Sequence, residues 1–113
     1  MDDNNTELQS QLDALRKSYY KNLPEKLQQA LKSWNIAYQK EASSDDLEEV
    51  HRITHTIKGS SLTFNFQEIG EKATILDNYI KELIKNETSL NESEDKHFKQ
   101  LFKELVLACK SAD

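Results

Sequence analysis

Apolar residues recur at spacings of three and four along most of the chain, the period of a helix buried on one face. Leu8, Leu12, Leu15 and Tyr19 open the pattern, and Leu27, Leu31, Trp34 and Tyr38 continue it beyond Pro24. Pro24 lacks an amide hydrogen, so it either opens a second helix at its first position or kinks one long helix. Residues 1–5 are polar and expected to fray, and Thr6 with Gln9 forms a T-x-x-Q pattern that can cap the first helix. The polar break Glu41–Asp46 separates this stretch from the next. Ser44 suits a cap there, and Asp45, Asp46, Glu48 and Glu49 suit the positive end of a helix dipole. That second stretch is expected to be helical from about 45 to 64. Asn65 and Glu68 offer another cap pattern, after which Ile69, Ala73, Leu76, Ile80 and Leu83 stripe a third helix. Residues 86–93 read as a loop, and Phe98, Leu101, Phe102, Leu105 and Cys109 stripe the last helix. No useful stretch alternates with the period of a strand. The pattern predicts an all-α, up-and-down four-helix bundle, with a separate short N-terminal helix as a variant.

Composition narrows the picture. The 113 residues suit one domain, 1–113, and 36% hydrophobic content suffices for one modest core. Two Gly and one Pro are too few for a barrel or sandwich with many tight turns. A net charge of −5 argues against a general nucleic-acid binder. The single Cys109 excludes an internal disulfide and a cysteine-based zinc site. No apolar run reaches membrane-spanning length, and MDDNNTELQ is not the pattern of a secretory leader. The expectation is a cytoplasmic monomer.

The stretch His51–Asn65, HRITHTIKGSSLTFN, carries the candidate chemistry. On a wheel of about 100° per residue, Val50, Ile53, Ile57, Ser61 and Phe64 share the core face. His55 then points directly away from the core, with His51, Arg52, Lys58, Gly59 and Leu62 around it. Gly59 inside a helix costs about 1 kcal/mol relative to Ala. Its missing side chain leaves room beside the imidazole for another molecule. Lys58, three residues on, reaches any anion held on the ring, and Leu62 is an apolar residue on an otherwise polar face. An exposed imidazole is substantially neutral at pH 7 and can act as a nucleophile.

The run H-T-I-K-G-S-S, residues 55–61, resembles the signature of histidine phosphotransfer (HPt) domains of phosphorelays: a His, a small polar residue, Leu or Ile, Lys-Gly and two small residues. The likeness extends over roughly residues 12–85. It implies that His55 is the phosphoacceptor, that Lys58 neutralises phosphate charge and that Gly59 gives a partner access. It also implies receiver domains as partners, one of a hybrid histidine kinase and one of a response regulator, with His51, Arg52 and Leu62 as contacts. The protein would carry no cofactor of its own, the divalent metal (magnesium) being the receiver's. It would be a phosphocarrier and not an enzyme, since no Gly-rich nucleotide loop is present. Asn65 stands where many relatives have Gly, and Asn tolerates the left-handed conformation best among non-glycine residues. His51 is not part of the signature, and its role stays open.

Two other readings compete. One is a bundle of HPt type kept only as a docking adaptor. The other is a metal-binding bundle, because Glu48-x-x-His51 and Glu94-x-x-His97 have the spacing of di-iron carboxylate proteins. Such sites need ligands that project inward, whereas Glu48 and His51 lie opposite the core stripe.

Overall fold

A computed structural model describes residues 2–39 and 44–112, with side chains for 6–39 and 45–112. Four helices follow one another: α1 (Asp2–Gln39), α2 (Ser44–Thr63), α3 (Gln67–Lys85) and α4 (Glu92–Ser111). Among the described residues there is no strand. α2 packs most extensively on α3, α1 lies along α2, and α4 closes on α3, giving the four-helix bundle that the apolar spacing predicts.

Pro24 lies inside α1, so the N-terminal segment is neither a separate helix nor a helix ended by the proline. The proline removes one amide donor, and the buried neighbours Leu23, Leu27 and Ala30 hold the helix across it. Residues 2–5 belong to the helix rather than fraying, and Thr6 sits within it instead of capping it. Met1 lies outside the described residues.

α1 has 38 residues and its partners 19 or 20. At about 1.5 Å per residue it outruns them by nearly half its length. Leu8, Leu12 and Leu15 are therefore exposed, and burial along α1 begins near Tyr19 and Leu23. Further along, Trp34 is fully buried, stacked on Phe98 with ring centroids 4.1 Å apart, and its Nε1 donates to Asp95 Oδ1 at 2.8 Å.

Ser44, expected to cap, is instead the first residue inside α2, and the position before it falls outside the described residues. The turn between α2 and α3 has a left-handed residue, Asn65 at φ 64°. Around it Phe66 N–H donates to Ser61 O at 2.7 Å and Asn65 N–H to Leu62 O at 3.2 Å. This is the Schellman arrangement, and it uses the conformational tolerance of Asn. The Asn65–Glu68 cap does not form: Phe66 is the residue before α3, and no side chain caps the helix. α4 is capped by Asn91, whose side chain accepts from Glu94 N–H at 3.0 Å.

Candidate functional site

The middle of α2 is fixed from both sides. Val50, Ile53, Ile57 and Ser61 are buried, as the wheel predicts. Ser61 Oγ lies 2.8 Å from the Tyr19 hydroxyl, which also donates to Ile57 O at 3.2 Å. Burial pushes the Tyr19 phenol above its ordinary pKa, so it remains a neutral partner for Ser61. Arg16 Nε donates to Phe64 O at 3.0 Å, and its guanidinium lies 4.0 Å from the Phe66 ring centre. These contacts join α1 to the second half of α2 and the turn after it, and set the rotation of α2 against α1.

That rotation places His55 at the rim of the α2–α3 interface. Its side chain is 59% exposed, so it is no packed core histidine. It does not point directly away from the protein either. Its Nδ1 lies 3.4 Å from Oδ2 of Asp77 on α3. Side chains lean toward neighbouring helices, and a wheel of one helix does not show what the next one presents.

Asp77 organises the site. It is fully buried, in the middle of the α3 stripe between Ala73 and Ile80. His51 Nε2 is 3.2 Å from its Oδ1. Lys81 Nζ and Lys58 Nζ are 3.6 and 3.8 Å from its Oδ2. The Thr54 hydroxyl, also buried, lies 3.1 Å from His51 O and 3.4 Å from Asp77 Oδ1. A buried carboxylate is tolerated when positive or hydrogen-bonding groups surround it, and here two lysines, two imidazoles and a hydroxyl do so. Although His51 Nε2 is close to Asp77, its direction gives no hydrogen bond, and this buried nitrogen has no other partner.

The other residues singled out in the sequence lie around this centre. Lys58 is drawn toward Asp77, with a side chain still 28% exposed. Gly59 is exposed, and a Cβ built there would meet nothing within 4 Å. The protein's own packing thus makes no demand for glycine at this position. Leu62 is 51% exposed, and its underside covers Gly70 of α3, where a Cβ would come within 2.7 Å of Leu62 Cδ2. Arg52 is exposed and bonded to Glu49, Nε to Oε2 at 3.0 Å. That pair holds the Arg52 guanidinium above and the Glu49 carboxyl below their ordinary pKa values.

Among the described residues one group of three potential metal ligands converges, His51, His55 and Asp77. Glu48, Glu94 and His97 are not in it. Glu94 accepts from the Tyr79 hydroxyl, and His97 lies against the Tyr79 ring at 4.4 Å. The two Glu-x-x-His patterns therefore do not meet in a di-iron arrangement. Asp77, Lys81 and Thr54 were missed in the sequence. The available signal was a lone carboxylate at a stripe position, four residues after Ala73 and three before Ile80.

In chemical terms, a neutral imidazole with its proton on Nδ1, directed at Asp77, keeps its lone pair on Nε2. No helix among the described residues is long and apolar enough to cross a membrane. Neither the curated proteins nor the solved structures compared gave a match. The family model described as Hpt domain matches residues 6–108, which includes all of α2 and α3 and most of α1 and α4. The chain therefore belongs to the Hpt domain family, helical-bundle phosphocarriers that work with receiver domains in phosphorelays.

Proposed function

We propose that this protein accepts a phosphoryl group on Nε2 of His55 from the aspartyl phosphate of one receiver domain and passes it to another. The observation that carries this reading is the pairing of His55 Nδ1 with the buried Asp77 while the rest of the ring stands in solvent. Nε2 attacks phosphorus as the acyl-phosphate O–P bond breaks, and the receiver's carboxylate leaves with the electron pair. The imidazole gains positive charge as the N–P bond forms, and Asp77, beside Nδ1–H, stabilises it. Asp77 is in this sense a positioning residue, and it is held before the partner arrives, which removes an orientational cost from the transfer.

Lys58 supplies charge neutralisation. Its partly exposed ammonium swings from Asp77 to the phosphoryl oxygens, a short move for a flexible side chain. Phosphoryl transfer depends mainly on positioning and on stabilising charge, and the receiver's magnesium provides the remainder. Gly59 leaves the space that the receiver's active site enters. Arg52 and Leu62 flank that opening and contact the partner. The protein needs no cofactor of its own for this work and acts as a cytoplasmic monomer.

The test is transfer from a panel of phosphorylated receivers to wild type and His55→Gln. Acid-labile, base-stable label on wild type and none on the variant is expected. A folded wild-type protein that binds receivers and takes no label from any of them would overturn the reading in favour of a docking adaptor.

A further inference from the structure

We infer that His51, His55 and Asp77 form a binding site for a divalent transition cation of the zinc class, and that the bound ion shuts off His55. The three residues offer two imidazole nitrogens and a carboxylate oxygen, all within 4.8 Å of one another. Ligands about 2.0–2.1 Å from a tetrahedral zinc lie roughly 3.4 Å apart. The separations here are 3.2 Å from His51 Nε2 to Asp77 Oδ1 and 3.4 Å from His55 Nδ1 to the other oxygen, Oδ2. The independent observation is the buried Nε2 of His51, which faces Asp77 without a hydrogen bond to it or to anything else. A buried nitrogen without a hydrogen bond gains a partner by coordination once the ring turns toward the carboxylate. Two histidines and one carboxylate are a donor set that zinc accepts, with its fourth position left to water. Magnesium prefers oxygen ligands and does not compete well here.

Lys58 and Lys81 stand against the ion, since both ammonium groups already lie near Asp77. Both side chains are partly exposed and reach water by rotation, so a doubly charged ion displaces them. Access is open: a surface depression of about 690 Å³ has His51 in its lining, with Asp45, Glu48 and Glu49 balanced by Arg52, Lys81 and Lys85.

The effect on His55 follows from electron counting. A metal on Nδ1 takes that lone pair, and the neutral ring then carries its proton on Nε2. Neither nitrogen remains nucleophilic. With Asp77 accepting from Nδ1–H, Nε2 keeps its lone pair. The metal-bound and the reactive ring are thus mutually exclusive. Binding itself does not depend on the phosphorelay reading, whereas the consequence for transfer rests on it.

The experiment is a zinc titration of untagged protein against a chromophoric chelator, with wild type, His51→Gln and Asp77→Asn, each checked for helix content by circular dichroism. In parallel, carbethoxylation of each histidine by diethyl pyrocarbonate is followed by mass spectrometry with and without zinc. Expected are one zinc per chain, at least tenfold weaker binding in folded His51→Gln, and zinc protection of His55 but not of His97. Wild-type affinity in His51→Gln, equal protection of His97 or absence of binding to wild type would each overturn the site. Protection of His55 together with failure of transfer from receivers would leave the metal site standing and remove the relay reading.

Discussion

Gly59 separates access from stability, because the two make opposite demands on it. Within α2 a glycine is less favourable than alanine by about 1 kcal/mol. A Cβ at this position meets no atom within 4 Å, so nothing in the protein offsets that gain. Gly59→Ala is therefore expected to stabilise the domain by about 1 kcal/mol, which raises Tm by roughly 4 °C in a chain of this size. Gly59→Gln, with a helix propensity close to alanine's, retains about half of the gain. If the space beside His55 is filled by a receiver during transfer, the longer side chain must be pushed aside in the complex. Transfer to Gly59→Gln is expected to slow at least tenfold, equivalent to about 1.4 kcal/mol of barrier. Urea denaturation and single-turnover transfer measured on the same preparations give the two quantities. Loss of stability in Gly59→Ala would refute the reading of open space. A stable Gly59→Gln that transfers at the wild-type rate would refute the access role.

Lys58→Ala is expected to slow transfer about tenfold and leave a measurable remainder. Its stability should change by less than about 1 kcal/mol, because the ion pair with Asp77 is partly exposed on the lysine side; an unchanged rate in a quench-flow assay would rule out charge neutralisation. Asp77→Asn keeps the shape but supplies an NH₂ group and a weaker acceptor, so transfer should fall at least tenfold in a protein that remains helical, and a wild-type rate would show that His55 needs no partner at Nδ1. Burial pushes the Cys109 thiol from 9.0 up to about 11. At pH 8 its alkylation by iodoacetamide should run about a hundredfold slower than in urea-unfolded protein, since two pKa units separate the thiolate fractions. The same shift favours the fold below pH 9, and that contribution is lost as pH rises from 9 to 11; denaturation midpoints across that range, compared with Cys109→Ala, check the sign.

The helices were legible because each apolar stripe keeps the 3.6-residue period, and the bundle follows from stripes joined by short polar breaks. Pro24 was ambiguous for a physical reason. A proline inside a helix loses one hydrogen bond, and whether packing on both sides compensates is a tertiary matter. The exposure of Leu8, Leu12 and Leu15 was hidden likewise, since their spacing matches a core stripe and only the length of α1 against α2–α4 shows the overhang. At the site, the H-x-x-K-G pattern located the exposed ring of His55 and the open space at Gly59. It did not reveal Asp77, because one helix's wheel carries no information on what the facing helix places opposite. Leu62 shows the same limit: it looked like a free apolar residue, and half of it covers Gly70.

The central claim is that Asp77 holds Nδ1 of His55 and leaves Nε2 to take the phosphoryl group. The most direct measurement is a long-range proton–nitrogen NMR spectrum of the ¹⁵N-labelled protein before and after phosphorylation by a receiver. The account predicts Nδ1–H and a lone pair on Nε2 of His55 in the free protein, then a phosphoryl group on Nε2 of that residue alone. A phosphoryl group on Nδ1, or on His51 or His97, would contradict it.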